Sequence, residues 1–179
     1  VGPRFVKQAA LFYGLMAVAA ALWSGLRGWG LPLSGGSPLR EVLLGMAAAA
    51  GTVLLGMLTY RALPPLRKLA GELAPHLIDP ADRRGLVLIS AFSGISEELL
   101  FRGAVQQEFG LVPAVLLFGA LHIGPDRRYL IWTVWALAAG FLYGLLFATT
   151  GGLLAPVVAH ALHNAATLLA WKRLRERER

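Results

Sequence analysis

The chain has 179 residues, 56% of them hydrophobic and 15% charged, with a mean hydropathy of +0.61. Soluble domains run near 45–50% apolar and about 25% charged, so the composition points to a membrane protein of one domain, residues 1–179. No cysteine is present, which excludes disulfides, thiolate metal sites and a cysteine nucleophile. The formal net charge of +7 is compatible with nucleic acid, but the basic residues lie between long apolar runs. That placement fits anchoring at a membrane surface and argues against a nucleic-acid partner.

Six apolar segments follow one another, at 9–26, 42–60, 86–109, 111–123, 129–149 and 151–171. None alternates with period two over a long run, which argues against a β-barrel, and an all-α, polytopic fold of about six transmembrane helices is expected. Five segments are long enough to cross about 30 Å of hydrocarbon. The fourth has 13 residues and reaches only about 20 Å as a helix. Charge counting decides its role. If all six cross, 14 basic residues from Arg4 to Arg179 share one side, against Arg27 and Arg40 on the other. If the fourth does not cross, the split is 7 against 9. The positive-inside bias therefore predicts six crossings, with both termini cytoplasmic and the protein in the cell membrane.

Trp23 and Trp29 fall near one predicted interface, and Trp132, Trp135 and Trp171 near the other. Between the second and third segments, residues 61–85 place Leu66, Leu69, Leu73 and Leu77 at helical spacing beside Arg67 and Lys68. A short helix on the cytoplasmic surface is expected there. Gly140 and Gly144 form a Gly-x-x-x-Gly on the fifth segment, read as internal close packing rather than a dimer face.

The chemistry concentrates in few residues. Glu97 and Glu98 lie deep in an apolar segment, and His122, His160 and His163 lie in later ones, while His76 falls in the 61–85 loop. A charge at the centre of a membrane helix costs about 2.5–3.5 kcal/mol on insertion scales, so two adjacent glutamates need compensation. Arg102 stands four residues after Glu98 and can neutralise it on one helical face. Glu97 points about 100° away and is free to face another helix. His160 and Asn164 share a face of the sixth segment, with His163 beside them. The set Glu97, His122, His160 and Asn164 supplies a base, proton-handling imidazoles and hydrogen-bond donors, which is what amide hydrolysis by an activated water needs.

Other protease chemistries sort by residue type. No histidine is followed by glutamate, so the zincin His-Glu-x-x-His is absent, and no aspartate lies in a segment to form an aspartyl dyad. A Ser96–His160 dyad lacks a glycine closing the turn after the serine. Ser93 and Ser96 are compatible with bonding back to helix carbonyls. A zinc site on Glu97, His122 and His160 stays open as the alternative cofactor reading to no metal. A non-catalytic membrane protein, such as an immunity factor or peptide binder, is the reading from another class.

Three motifs occur in order. Glu97-Glu98-Leu99-Leu100-Phe101-Arg102 fits Glu-Glu-x-x-x-Arg, Phe118 to His122 fits Phe-x-x-x-His, and His160 to Asn164 fits His-x-x-x-Asn. Together they resemble the CPBP (Abi) family, which includes CAAX prenyl endopeptidases and bacteriocin-processing or immunity proteins. The resemblance spans about residues 86–171. It implies an intramembrane endopeptidase in which Glu97 and His122 activate water and His160 and Asn164 form the oxyanion site. Glu98 and Arg102 would support them, with His163 adjacent. The partners implied are membrane lipid and a peptide or protein substrate, lipidated or not. Two segments before the first motif suggest a compact prokaryotic member.

Overall fold

The computed structural model describes residues 2–177, so Arg179, one of the fourteen basic residues counted above, lies outside the described residues. The described residues are helical, with no strand among them. The helices are α1 (Gly2–Leu26), α2 (Pro38–Ala62), α3 (Pro64–Leu77), α4 (Arg83–Leu100), α5 (Gln106–Phe109), α6 (Leu111–Ala120), α7 (Leu130–Thr150) and α8 (Leu154–Arg177). A π-helical turn, Phe101–Val105, joins α4 to α5, and a 3-10 turn, Arg127–Tyr129, leads into α7.

Local signals account for most boundaries. Ser37 precedes α2 and Pro38 opens it, where its missing N–H costs nothing. Buried Glu41 reaches back to accept from Ser34 Oγ (2.8 Å), Gly35 N (3.0 Å) and Ser37 N (3.2 Å), tying the preceding loop to the helix start. Asp82 caps α4 by accepting from Gly85 N at 2.7 Å. Gly110, at φ +84°, separates α5 from α6, a backbone state that glycine adopts without strain.

α4 lies at the centre, packed between α1 and α8, while α8 also packs on α2 and α7. The helix ends gather at two poles. At one, Arg27 pairs with Glu108 at 2.7 Å, and the loop after α1 clasps the loop before α8. Leu153 N donates to Pro32 O at 2.8 Å and Leu154 N to Leu33 O at 3.0 Å. A Cβ on Gly35 would stand 1.7 Å from the Thr150 carbonyl oxygen, so this clasp demands glycine. At the other pole, Arg128 pairs with Glu72 at 2.6 Å, Arg83 with Glu176 at 2.6 Å and Arg175 with Asp79 at 3.3 Å. There the Arg128 side chain and amide, by hydrogen bonding to exposed Asp126, hold its carboxyl below the usual carboxylate range.

The polarity of the bundle is inverted relative to a soluble protein. Leu11 and Leu15 on α1 are 66% and 62% exposed, whereas Glu98 is 0% and Arg102 1% exposed. An apolar exterior around a charged interior is stable only in lipid. Among the described residues three helical stretches, Arg4–Leu26, Pro38–Ala62 and Arg127–Thr150, are long and apolar enough to cross a membrane. The protein is a polytopic, all-helical membrane protein.

The structure redraws several sequence boundaries. The third segment, read as one span over 86–109, is broken by the π-turn, whose Gln106 N–H donates to Phe101 O five residues back. The helix of the fourth segment, α6, stops at Ala120, so His122 sits in the turn after it instead of on the helix. α8 begins at Leu154, because Gly151 at φ +72° ends α7, and it runs on to Arg177. In the 61–85 region a helix, α3, does form. Its buried Leu69 and Ala74 face inward, and Ala74 joins Ile78, Ala81 and Leu86 in a cluster covered by Phe5, Leu168 and Trp171.

Candidate active site

Glu98 is the centre of the buried polar network. Its Oε1 accepts from Arg102 Nη1 at 3.1 Å, and Arg102 Nε stands 3.1 Å from its Oε2. The i,i+4 pair expected from the sequence therefore forms, fully buried. Arg102 Nη2 reaches across to donate to Gly140 O at 2.7 Å. Four residues on, Gln106 Nε2 donates to Gly144 O at 3.0 Å. The two glycines thus pack inside the chain, and their lack of Cβ lets two side chains meet α7 carbonyls: a Cβ on Gly144 would lie 2.8 Å from Gln106 Oε1. Phe118, Tyr143 and Phe101 surround the guanidinium, at 5.0, 5.8 and 6.0 Å from ring centroid to Cζ. Such rings stabilise a cation that has left water.

His160 of α8 completes this network, with Nδ1 2.7 Å from Glu98 Oε1. An ionised carboxylate only accepts, so Nδ1 carries the proton and Nε2 points elsewhere. The ring is stacked on Tyr143 at 5.0 Å and met edge-on by Phe118 at 6.2 Å, which fixes its plane. His122 obeys the same logic. Its Nδ1 lies 2.7 Å from Phe118 O, and a carbonyl can only accept, leaving Nε2 as the free nitrogen. Thr133 Oγ1 donates to His122 O at 2.9 Å and pins the turn to α7.

Glu97 is 8% exposed and is in electrostatic contact with both His160 and His122. Its Oε2 is buried without a hydrogen-bond partner. Asn164 Nδ2 donates to Ser93 Oγ at 3.0 Å, and Ser93 donates in turn to Ser90 O at 3.2 Å. One Nδ2 proton of Asn164 remains for another acceptor.

His163 points away from these groups. Thr52 Oγ1 on α2 gives its proton to a carbonyl of its own helix, at 3.0 Å from Ala48 O and Ala49 O. It therefore accepts from His163 Nδ1, 3.0 Å away, while Trp135 stacks on the ring at 5.7 Å. His163 ties α8 to α2 and α7. Among the described residues no three His, Asp or Glu side chains stand close enough together to hold a metal ion.

Sequence reading passed over Thr52, Gln106 and Tyr143, and gave Ser93 only a backbone role. Gln106 and Thr52 carried a signal, being polar side chains in apolar runs; Tyr143 carried none.

Residues 83–166 match the family described as type II CAAX prenyl endopeptidase, Rce1-like. The chain is also 28% identical, over 127 residues, to "Uncharacterized protein YpbD" of Bacillus subtilis (strain 168), covering 71% of this chain and 67% of that protein. No solved structure matches. The matched stretch runs from the start of α4 into α8 and contains all three motifs, so it covers the buried Glu98–Arg102–His160 network. Residues 83–166 are thus similar to the Rce1-like family of type II CAAX prenyl endopeptidases, as the ordered motifs implied.

Proposed function

We propose that this chain hydrolyses a peptide bond within the membrane using a water activated by Glu97 and His122, without a covalent intermediate. The observation that carries the reading is the buried Glu97 carboxyl, one oxygen unpartnered, set against His122 and His160 in a protein-lined interior. Buried polar atoms are rarely left without partners, and an orphan aimed into a polar interior is poised for a water or substrate.

Glu97 takes a proton from water as the oxygen attacks the scissile carbonyl carbon, and His122 Nε2 accepts the water's second hydrogen bond. The carbonyl oxygen becomes an oxyanion. Asn164 donates a hydrogen bond to it through its remaining Nδ2 proton, and His160 faces it through Nε2. Glu98 holds His160 by Nδ1, and Arg102 offsets the Glu98 charge. Glu97 then passes its proton to the departing amine, which breaks the C–N bond. His163 acts at a distance by bracing α8.

We further infer that all six segments cross the cell membrane with both termini cytoplasmic. The 14-to-2 basic asymmetry supports this, as do the ion pairs joining 72, 79, 83, 128, 175 and 176 at one pole. The substrate is a peptide or protein held at the membrane. Incubating the purified chain with a membrane-peptide library and reading products by mass spectrometry tests the activity. Cleavage that persists in Glu97→Gln refutes the role of Glu97.

A further inference from the structure

Every residue assigned above lies between 93 and 164, yet α1 runs along the whole of α4. Its register can be read at two points. A Cβ on Gly85 would touch Val6 Cγ2 at 2.9 Å, and buried Ser24 Oγ donates to Gly103 O at 2.9 Å. Both pairs are 79 residues apart, so α1 and α4 are parallel and in constant register from one pole to the other. That register sets Tyr13 opposite Phe92, within about a turn and a half of Ser93 and Glu97. The half-buried Tyr13 side chain is in electrostatic contact with Glu97 and within interaction range of the Ser93 hydroxyl. Ser93 is the acceptor for Asn164. Three helices thereby bring Asn164, Ser93, Tyr13 and Glu97 into one polar row.

We propose that Tyr13 is a positioning residue, its O–H donating to Glu97 so that one carboxyl oxygen is held while Oε2 stays free for water. The catalytic value of this contact rests on the role given to Glu97 above; the contact itself does not. A phenol is suited to the task. It is neutral, tolerates an apolar helix, and donates one directed hydrogen bond from a rigid ring. It also lies outside the stretch shared with the Rce1-like family, so the first helix contributes to the site as well as to the wall of the bundle.

The test is infrared difference spectroscopy on the purified full chain carrying carboxyl-labelled glutamate. The band lost in Glu97→Gln belongs to Glu97. Tyr13→Phe, which removes one oxygen and keeps the ring, is expected to shift that band. Ser93→Ala should also shift it, and Tyr60→Phe should not. On a peptide found to be cleaved, Tyr13→Phe should lower kcat about tenfold with KM unchanged, the loss of one hydrogen bond to a charged group. An unshifted Glu97 band in Tyr13→Phe overturns the proposal. A shifted band alongside undiminished cleavage by Glu97→Gln upholds the contact and instead refutes Glu97 as the base.

Discussion

Replacing Arg102 by Met tests the buried network most severely. The change keeps an unbranched side chain of similar length among Phe101, Phe118 and Tyr143, so packing is largely retained. It removes both guanidinium contacts to Glu98, each at 3.1 Å, and the 2.7 Å donation to Gly140 O. Glu98 is 0% exposed and cannot recruit solvent. Breaking a buried pair from one side costs about 3–5 kcal/mol, because the remaining charge stays buried. His160, 2.7 Å from Glu98, keeps one partner in place and should hold the loss to the lower end of that range. At about 1.4 kcal/mol per decade, the unfolding constant rises roughly 10²- to 10³-fold. Reversible unfolding in detergent micelles, titrated with a denaturing detergent, measures it. The double variant Glu98→Gln with Arg102→Met should recover more than half of the loss, since no buried charge is then left. An Arg102→Met variant destabilised by less than about 1 kcal/mol would refute a buried, neutralised Glu98.

Other outcomes follow from the same geometry. Gly94→Ala should destabilise by about 1–3 kcal/mol, since its Cβ would lie 2.7 Å from Ala161 N and 2.8 Å from Ala161 Cα, where α4 and α8 touch by backbone; thermal unfolding reads this directly. In this cysteine-free chain, single cysteines at Arg40, Gly71, Arg127 and Arg173 should be labelled by an impermeant thiol reagent from outside only at Arg40, and outside labelling at Arg173 would contradict the six-crossing topology. Asn164→Ala should lower turnover about 10²–10³-fold with substrate binding little changed, as for loss of one oxyanion donor. A strong chelator should leave wild-type turnover intact; activity lost to chelator and restored by zinc would favour the metal reading.

How far the sequence reached depends on what each residue costs in lipid. Glu97, Glu98, Arg102 and the three histidines stand out because charged and polar side chains are expensive in apolar segments and are kept only for a reason. The Glu98–Arg102 pair follows from helical spacing alone, and the inward use of Gly140 and Gly144 from their small size. Other features were hidden. The π-turn at Phe101–Val105 leaves no mark on apolar periodicity, although it carries Arg102 toward both Glu98 and Gly140. His163 shares its surroundings in sequence with His160, and only tertiary packing turns it to Thr52 and Trp135. Tyr13 reads as an ordinary aromatic in an apolar helix, since its partners lie some 80 residues away on α4. The end of α6 before His122 was obscured because Leu121 and Ile123 continue the apolar run through the turn.

The central claim is that the buried carboxyl of Glu97 activates the water that cleaves the substrate. The direct measurement is product formation from the membrane-peptide library by wild type and by Glu97→Gln, at matched concentration and with matched thermal unfolding. Wild type should release defined peptides, and the folded Glu97→Gln variant should be slower by about 10²–10⁴-fold, the usual contribution of a general base. Equal product from a folded Glu97→Gln variant would contradict the account.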